Sequence, residues 1–413
     1  MLRSSVLVLA LALAALVGGV ADAAPQLVRV VVVMRHGVRP PTESNTDLRQ
    51  WSDQDWPAWI VAPGDLTPHG AQTVALTGRT LRATYAIRGL FPARGCAKPD
   101  EVSVWADGAD ERTQMTGVVL GASLEGGCRV PVAWAKLPPK TRDQIFASAT
   151  GAACKVAPDK DWTTPLLTPA DAKRLRSAIL KLQAIFAPGA CPPPTAPGKG
   201  TCFDPTAPGG IPPKTASLAE DLLLEYAEGM PTSDVGWGRA SVADVGLVMT
   251  IHETMFARLR DNQYAASRRG AAMTRVIMAA LQGEPIGGGP QTGPNLKLLG
   301  LAGHDTNLVL MASTFGLDWT LPDQPDSTAP STALAFELWR DGDKLYVRPA
   351  LYYQSLDQLR TLAPSLANLR ALTFKDCASG PMGSCPLDDL RHRIDTLIPP
   401  DCGWPPDRAP PKP

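Results

Sequence analysis

"LVRVVVVMRHGVRPPT", residues 27–42, decides the fold. From Leu27 to Met34 the stretch is apolar and β-branched on both faces rather than on alternate positions, which suits a central strand covered by helices on each side. The run ends on Arg35, His36, Arg39 and two prolines, so a buried strand delivers cations to its own carboxyl end. In open α/β sheets, ligands bind at that end.

Two later segments repeat the pattern of strand, polar turn and helix. "EVSVWA" at 101–106 runs into "DGADERTQMTGVVLGASL", where Asp107 or Asp110 is placed to cap a helix carrying Met115, Val118, Val119 and Leu124. "NLKLLGLA" at 295–302 is followed by "GHDTN" and the apolar "LVLMASTFGL", read as a further helix. Between the first two units, "LTPHG" starts a helix with Thr67 as cap and Pro68 in its first turn, its apolar positions running through Val74, Leu76, Leu81 and Ile87. If the three strands are neighbours, Arg35, His36, Arg39, Arg112, His304 and Asp305 converge.

From Cys154 to about residue 260 the composition turns helical, with helices expected at 169–187, 215–229 and 241–260 around the Pro/Gly-rich stretch "APGACPPPTAPGKGTCFDPTAPGGIPPK". Near the C-terminus, "STALAFELWRDGDKLYVRPALYYQ" signals a β-hairpin around Asp341-Gly342-Asp343. The organisation expected is a signal peptide at 1–23, an α/β catalytic domain built from 24–153 and 261–405, an α-helical insertion at 154–260 and a flexible tail at 406–413.

The signal peptide is read from Arg3, the apolar core Val6–Val17 and the small-residue pattern Ala21-Asp22-Ala23. It implies a periplasmic or secreted protein. No apolar run from Ala24 onward reaches the ~20 residues of a membrane span. Lys plus Arg equals Asp plus Glu at 40 each in the 413 residues, which argues against nucleic acid or anionic lipid as partner. The expected partner is a small molecule, bound by a monomer. Eight cysteines after an export signal favour disulfides over zinc, and Cys191 with Cys202 and Cys377 with Cys385 would close short loops.

A cluster of cations at helix N-termini becomes favourable when a phosphate dianion fills it. Phosphoryl transfer also needs a nucleophile and a proton donor. His36 supplies a ring nitrogen while a carbonyl holds the other. Asp305 supplies a carboxyl that protonates the leaving alkoxide and then takes a proton from water, and its protonated fraction rises in acid.

Each residue also has a plain structural reading: strand-end arginines are commonly salt-bridged, Asp305 suits a helix cap, and Asp107, Asp110 and Glu111 suit partners of Arg112. His69 and His392 are assigned to structure, and His252 lies on an amphipathic helix. GxSxG, HExxH and GxxxxGK[ST] are absent from the sequence, which removes the usual support for serine hydrolase, zinc peptidase and nucleotide-dependent kinase readings.

"RHGVRPPT" (35–42) together with "HDTN" (304–307) resembles the histidine acid phosphatase family, in its branch of exported acid phosphatases and phytases. "LTPHG", "DERT" (110–113), "SLAEDLLLEYAEGMP" (217–231), "GWGR" (236–239) and "YYQSLDQLR" (352–360) extend the resemblance along nearly the whole chain. It implies a three-layer α/β sandwich with a central, mostly parallel sheet and an inserted α-helical domain, and no cofactor or metal.

It further implies His36 as the phosphorylated nucleophile, Arg35, Arg39, Arg112 and His304 as phosphate ligands and Asp305 as proton donor. Thr42, Glu220, His252 and Thr306 match positions lining the substrate cleft. The implied disulfides are Cys96–Cys128, Cys154–Cys402, Cys191–Cys202 and Cys377–Cys385.

Two departures bear on substrate. Glu43 stands where similar bacterial phytases have a lysine, and "ADGAD" before "ERT" is one residue longer. The expected function is phosphomonoester hydrolysis, with phytate as substrate or, alternatively, glucose 1-phosphate or other sugar phosphates. A non-catalytic phosphate-ester binder is the contrasting reading, and it has no use for His36 with Asp305.

Overall fold

The computed structural model describes residues 24–400 and Cys402, except 125–126, 139–140, 148–153, 158–159, 161–167, 192–199, 205–210 and 213. The signal peptide expected at 1–23 and the tail expected at 406–413 lie outside the described residues.

β1 (Gln26–Arg35) leads through the short α1 (Asn45–Leu48) to α2 (Pro68–Ile87), β2 (Val102–Ala106), α3 (Glu111–Leu124) and β3 (Val132–Trp134). Three long helices follow, α4 (Pro169–Phe186), α5 (Thr215–Ala227) and α6 (Val242–Arg260), then α7 (Gln263–Arg269) and α8 (Ala271–Gln282). The chain returns to the sheet with β4 (Leu298–Gly303), α9 (Asp305–Phe315), β5 (Ala333–Asp341) and β6 (Lys344–Tyr353). It ends with α10 (Leu356–Thr361), β7 (Asn368–Ala371), β8 (Cys385–Pro386) and α11 (Leu387–Leu397).

The strands form one sheet in the order β3-β2-β4-β1-β5-β6-β7, with β8 also pairing with β6. β3, β2, β4 and β1 are mutually parallel, whereas β5, β6 and β7 extend the sheet in antiparallel fashion. β1 therefore lies in the middle, as its uniformly apolar sequence requires. Val31 and Val33 point into one core with α8, α9 and α11, while Val30, Val32 and Met34 point into another with α2 and α3. Each of those valines is fully buried and contributes roughly 1.5–3 kcal/mol from burial. The α/β sandwich has helices on both faces.

A third core joins α4, α5 and α6 through Leu175, Leu182, Leu222, Val248 and their neighbours, and Val38 and Trp56 from the segment after β1 belong to it. The cation-bearing loop thus runs between the sheet and the helical bundle. The hairpin expected around residue 342 is present, with Asp341 opposite Lys344 and Gly342 at φ +57°. All eight cysteines are paired, Cys96 with Cys128, Cys154 with Cys402, Cys191 with Cys202 and Cys377 with Cys385. No helix of the described residues is long and apolar enough to cross a membrane.

Two helix faces differ from the sequence reading. α3 buries Leu124 as the sequence reading has it, but leaves Met115 and Val118 about 40 % exposed and buries Thr113, Thr116, Gly117, Leu120 and Gly121 in their place. The reason is close packing on the sheet: a Cβ on Gly117 would lie 3.0 Å from the Ala106 side chain, and one on Gly121 would lie 2.8 Å from that of Val132. The face is selected by small residues, not by large apolar ones. On α2, Ile87 is exposed and Tyr85 is buried in its place.

Candidate active site

β2, β4 and β1 are adjacent and in register, with Arg35 opposite Gly303 and Ala106 opposite Ala302. The three chains leave the sheet side by side. His36 N–H donates to the Gly303 carbonyl at 2.9 Å, and Asp107 N–H donates to that of Ala302 at 3.0 Å. This brings the His36 and His304 rings to 5.7 Å between centroids, at an interplanar angle of 77°.

The loop after His36 is fixed by α2. Thr67 caps that helix through the Gly70 N–H at 2.8 Å, and its own N–H donates to the Val38 carbonyl at 3.1 Å. A Cβ on Gly37 would stand 2.4 Å from the Gly70 carbonyl oxygen, and one on Gly70 would stand 2.2 Å from that of Val38. The two glycines let the start of α2 press against the loop.

His36 is buried, and its Nδ1 lies 2.8 Å from the Gly37 carbonyl oxygen. A carbonyl only accepts, so Nδ1 carries the hydrogen and Nε2 keeps its lone pair. Burial, followed by the nearby charges of Arg112, Arg39, Arg35 and His304, holds the imidazole well below its ordinary pKa of 6.5. The ring is a neutral base surrounded by cations.

Arg35 has no solvent exposure, and four groups hold it. Its Nη1 donates to Asp326 Oδ2 at 2.8 Å and to the Thr328 carbonyl at 2.7 Å, and its Nη2 pairs with Glu220 and, at 3.2 Å, with Asp305 Oδ2. Burial alone would lower its pKa, but Asp305, Glu220 and Asp326 raise it, so it is permanently charged. Arg39 Nη2 meets the other oxygen of Glu220 at 3.2 Å. Burial of Glu220 opposes its charge, yet Arg39 and Arg35 hold its carboxyl below the usual range.

On the opposite wall, Arg112 Nη2 pairs with Asp110 Oδ2 at 3.0 Å and its Nη1 donates to the Gly64 carbonyl at 3.3 Å. Burial and the neighbouring Arg39 lower its pKa. The Nε atoms of Arg35, Arg39 and Arg112 are buried without a hydrogen-bond partner. His304 is the N-cap of α9, its N–H donating to Asn307 Oδ1 at 2.9 Å, and its Nε2 lies 2.9 Å from Asp107 Oδ2. Asp305 is the first residue of α9 and accepts from the Thr306 N–H at 2.5 Å.

The structure thus brings together Arg35, His36, Arg39, Arg112, His304 and Asp305. Glu220 sits between two arginines, with both its oxygens engaged. His252 is buried against Phe256 at 4.2 Å, with Nδ1 4.0 Å from Asp326 Oδ1. Thr42 lies on the exposed rim, where its hydroxyl donates to Glu43 at 2.9 Å, and Glu43 in turn pairs with Lys214 at the start of α5. Thr306 is partly buried in the first turn of α9. The carboxylates of Asp107 and Asp110 face cations: Asp110 pairs with Arg112, one of the two roles the sequence allowed it, while Asp107 meets His304 and Arg142 instead.

Two residues escaped the sequence reading. Asp326, in "PDQPDSTAP", lies 291 positions from the Arg35 it anchors, with no motif around it. Arg142, in "KTRDQIF", reaches Asp107, Asp110 and His304 from the loop after β3. Asp107, Asp110 and His304 have metal-ligating atoms within 4.8 Å of one another, as do Glu220, His252 and Asp305. In both groups a guanidinium already engages at least one oxygen of each carboxylate.

A neutral histidine among three arginines at the ends of parallel strands, with a carboxyl beside it, is an arrangement suited to receiving a phosphate group. Residues 26–184 match the family model of the histidine phosphatase superfamily (branch 2), and the resemblance carried by "RHGVRPPT" and "HDTN" is borne out. Along the chain, similarity extends to Phytase AppA of Escherichia coli (strain K12), 28 % identical with 91 % of this chain and 93 % of that protein covered. The glucose-1-phosphatase of Salmonella typhimurium is 24 % identical, over 90 % of this chain and 92 % of its own. The fold matches the solved phytase from Citrobacter braakii with a TM-score of 0.79 at 28 % identity, covering 92 % of this chain and 99 % of the other.

Proposed function

We propose that the protein is an exported, acid-active phosphomonoesterase that works through a phosphohistidine at His36. The observation that carries this is the 2.8 Å contact of His36 Nδ1 with the Gly37 carbonyl, which leaves Nε2 unprotonated among Arg35, Arg39 and Arg112. In the first half-reaction Nε2 attacks phosphorus, the bond to the leaving oxygen breaks, and Asp305 delivers the proton that makes it an alcohol. In the second, Asp305 takes a proton from water, whose oxygen displaces His36 and releases inorganic phosphate.

The arginines and His304 neutralise the equatorial oxygens throughout, and the buried, unpartnered Nε–H groups of Arg35, Arg39 and Arg112 support an anion as their partner. On this reading Thr42, Thr306 and His252 line the cleft, and Glu220 acts by clamping Arg35 to Arg39. The chain divides into an α/β catalytic unit, 24–153 with 261–405, and a helical insertion at 154–260.

The substrate proposed is phytate, as for the relatives named phytases. Glu43 is matched by Lys214 at the rim, so the mouth keeps a cation although the position after Thr42 is acidic. Glucose 1-phosphate is the alternative, favoured by that acidic position and by the named glucose-1-phosphatase relative. Phosphate release at acidic pH from phytate, glucose 1-phosphate and p-nitrophenyl phosphate, with EDTA present, separates the two. Asp305→Asn should slow an alkyl phosphate far more than p-nitrophenyl phosphate, whose leaving group needs no acid; equal losses on the two contradict the donor role.

A further inference from the structure

Arg142 comes from none of the three strand exits, yet its Nη1 lies 3.2 Å from each of Asp107 Oδ2, Asp110 Oδ2 and His304 Nε2. Asp107 is wholly buried, while the Arg142 side chain is 41 % exposed. Because Asp107 Oδ2 accepts from His304 Nε2, that nitrogen carries the hydrogen and has no lone pair for Arg142. Imidazole and guanidinium therefore meet on one carboxylate. Arg142 also shares Asp110 Oδ2 with Arg112. The outcome is an alternating row, Arg112–Asp110–Arg142–Asp107–His304, linking two of the groups assigned to phosphate.

We propose that Arg142 is a positioning residue that keeps Asp107 a carboxylate, and so keeps His304 anchored toward the phosphate, at the low pH where the enzyme works. This deepens the phosphomonoesterase reading and rests on it.

The groups facing Asp107 come from three segments. His304 donates from the turn before α9, the Ala109 N–H donates at 3.1 Å from its own loop, and Arg142 donates from the loop after β3. Against these stand two carboxyls: Asp110, 3.6 Å from His304 Nε2, and Asp143, whose own carboxyl is pushed up by burial and by Asp107. Burial of Asp107 opposes its charge, but His304, Ala109 and Arg142 bring it below the ordinary carboxylate range.

Without Arg142, a buried carboxylate with carboxyl neighbours takes up its proton at higher pH. Protonated Asp107 offers an O–H where His304 needs an acceptor, and the ring loses its anchor. A depressed carboxylate makes its contribution above its folded pKa and loses it as pH falls through that value. Loss of Arg142 moves this point upward, so the acid limb of activity rises in pH and the basic limb stays.

The test is a set of kcat and kcat/KM profiles on p-nitrophenyl phosphate from about pH 2 to about pH 8, for the wild-type, Arg142→Gln and Arg142→Lys proteins. Vanadate inhibition over the same range reads anion binding independently of turnover, and melting curves report the fold. The expected result for Arg142→Gln is an acid limb displaced upward by about one pH unit, hence a loss of about 10-fold on that limb, with less than about 3-fold at the optimum.

The vanadate constant should follow the same displacement, and Arg142→Lys should restore most of it. An unmoved profile, or a uniform loss at every pH, overturns the proposal. A wild-type protein that releases no phosphate overturns the phosphomonoesterase reading instead.

Discussion

Glu220 joins Arg35 to Arg39, one carboxylate oxygen on each guanidinium, from a helix that lies almost two hundred residues further along the chain. α5 thereby fixes the two cations that the end of β1 presents. Two like charges held side by side before any substrate arrives are otherwise unfavourable, and a buried carboxylate between them removes that cost.

Glu220→Ala should therefore lower stability by roughly 3–5 kcal/mol, since it leaves buried arginines with one counterion fewer. Inorganic phosphate or vanadate should raise the melting temperature of this variant more than that of the wild type, because the anion restores part of the missing charge. Equal increments in the two proteins contradict the clamp.

His36→Ala should reduce turnover by about 10⁴-fold or more with little change in melting temperature. Since burial and the surrounding cations depress the His36 pKa well below 6.5, the imidazole stays unprotonated through the mildly acidic range. The limb of kcat/KM that reports His36 protonation should lie well below pH 6.5, and a limb at pH 6.5 contradicts this environment.

α5 carries two further buried acids. Burial, with Glu220 alongside, pushes Asp221 up to about 7 against the pull of Arg39 and Lys214, and burial with Asp221 and Asp234 pushes Glu225 up to about 8. Raised pKa values give stability that is complete below the unfolded values of 3.8 and 4.5 and is lost as pH rises through about 7 and about 8. The melting temperature should fall between about pH 5 and about pH 8. The double variant Asp221→Asn with Glu225→Gln should flatten the fall, and an unchanged slope contradicts the assignment.

Lys214 is the rim cation opposite Glu43. Lys214→Glu should raise KM for phytate by several-fold while leaving p-nitrophenyl phosphate within about 2-fold, since only the larger ester extends to the rim. Parallel changes for both substrates contradict a role in selecting polyphosphorylated esters.

The central strand and the strand-end motifs were legible because each is local: the β1 run fixes burial on both faces, and "RHGVRPPT" and "HDTN" each place their residues within one turn of a strand end. What stayed hidden was non-local or small. The pairing of β1 with β5 joins segments some three hundred residues apart, and Asp326 reaches Arg35 from a loop without periodicity. Arg142 looks like an ordinary surface arginine until β3 brings its loop beside β2 and β4. The buried face of α3 was misread because Gly117 and Gly121, which choose it, carry no hydropathy signal.

The most direct test of the central claim is acid-resistant versus acid-labile labelling after a rapid quench with 32P-labelled p-nitrophenyl phosphate. A phosphorylated enzyme intermediate should form that is stable in alkali, labile in acid and mapped to His36. It should be absent from His36→Ala, and it should appear in the wild type at a rate no slower than turnover. A protein that turns over substrate with no label on His36, or with label on another residue, contradicts the account.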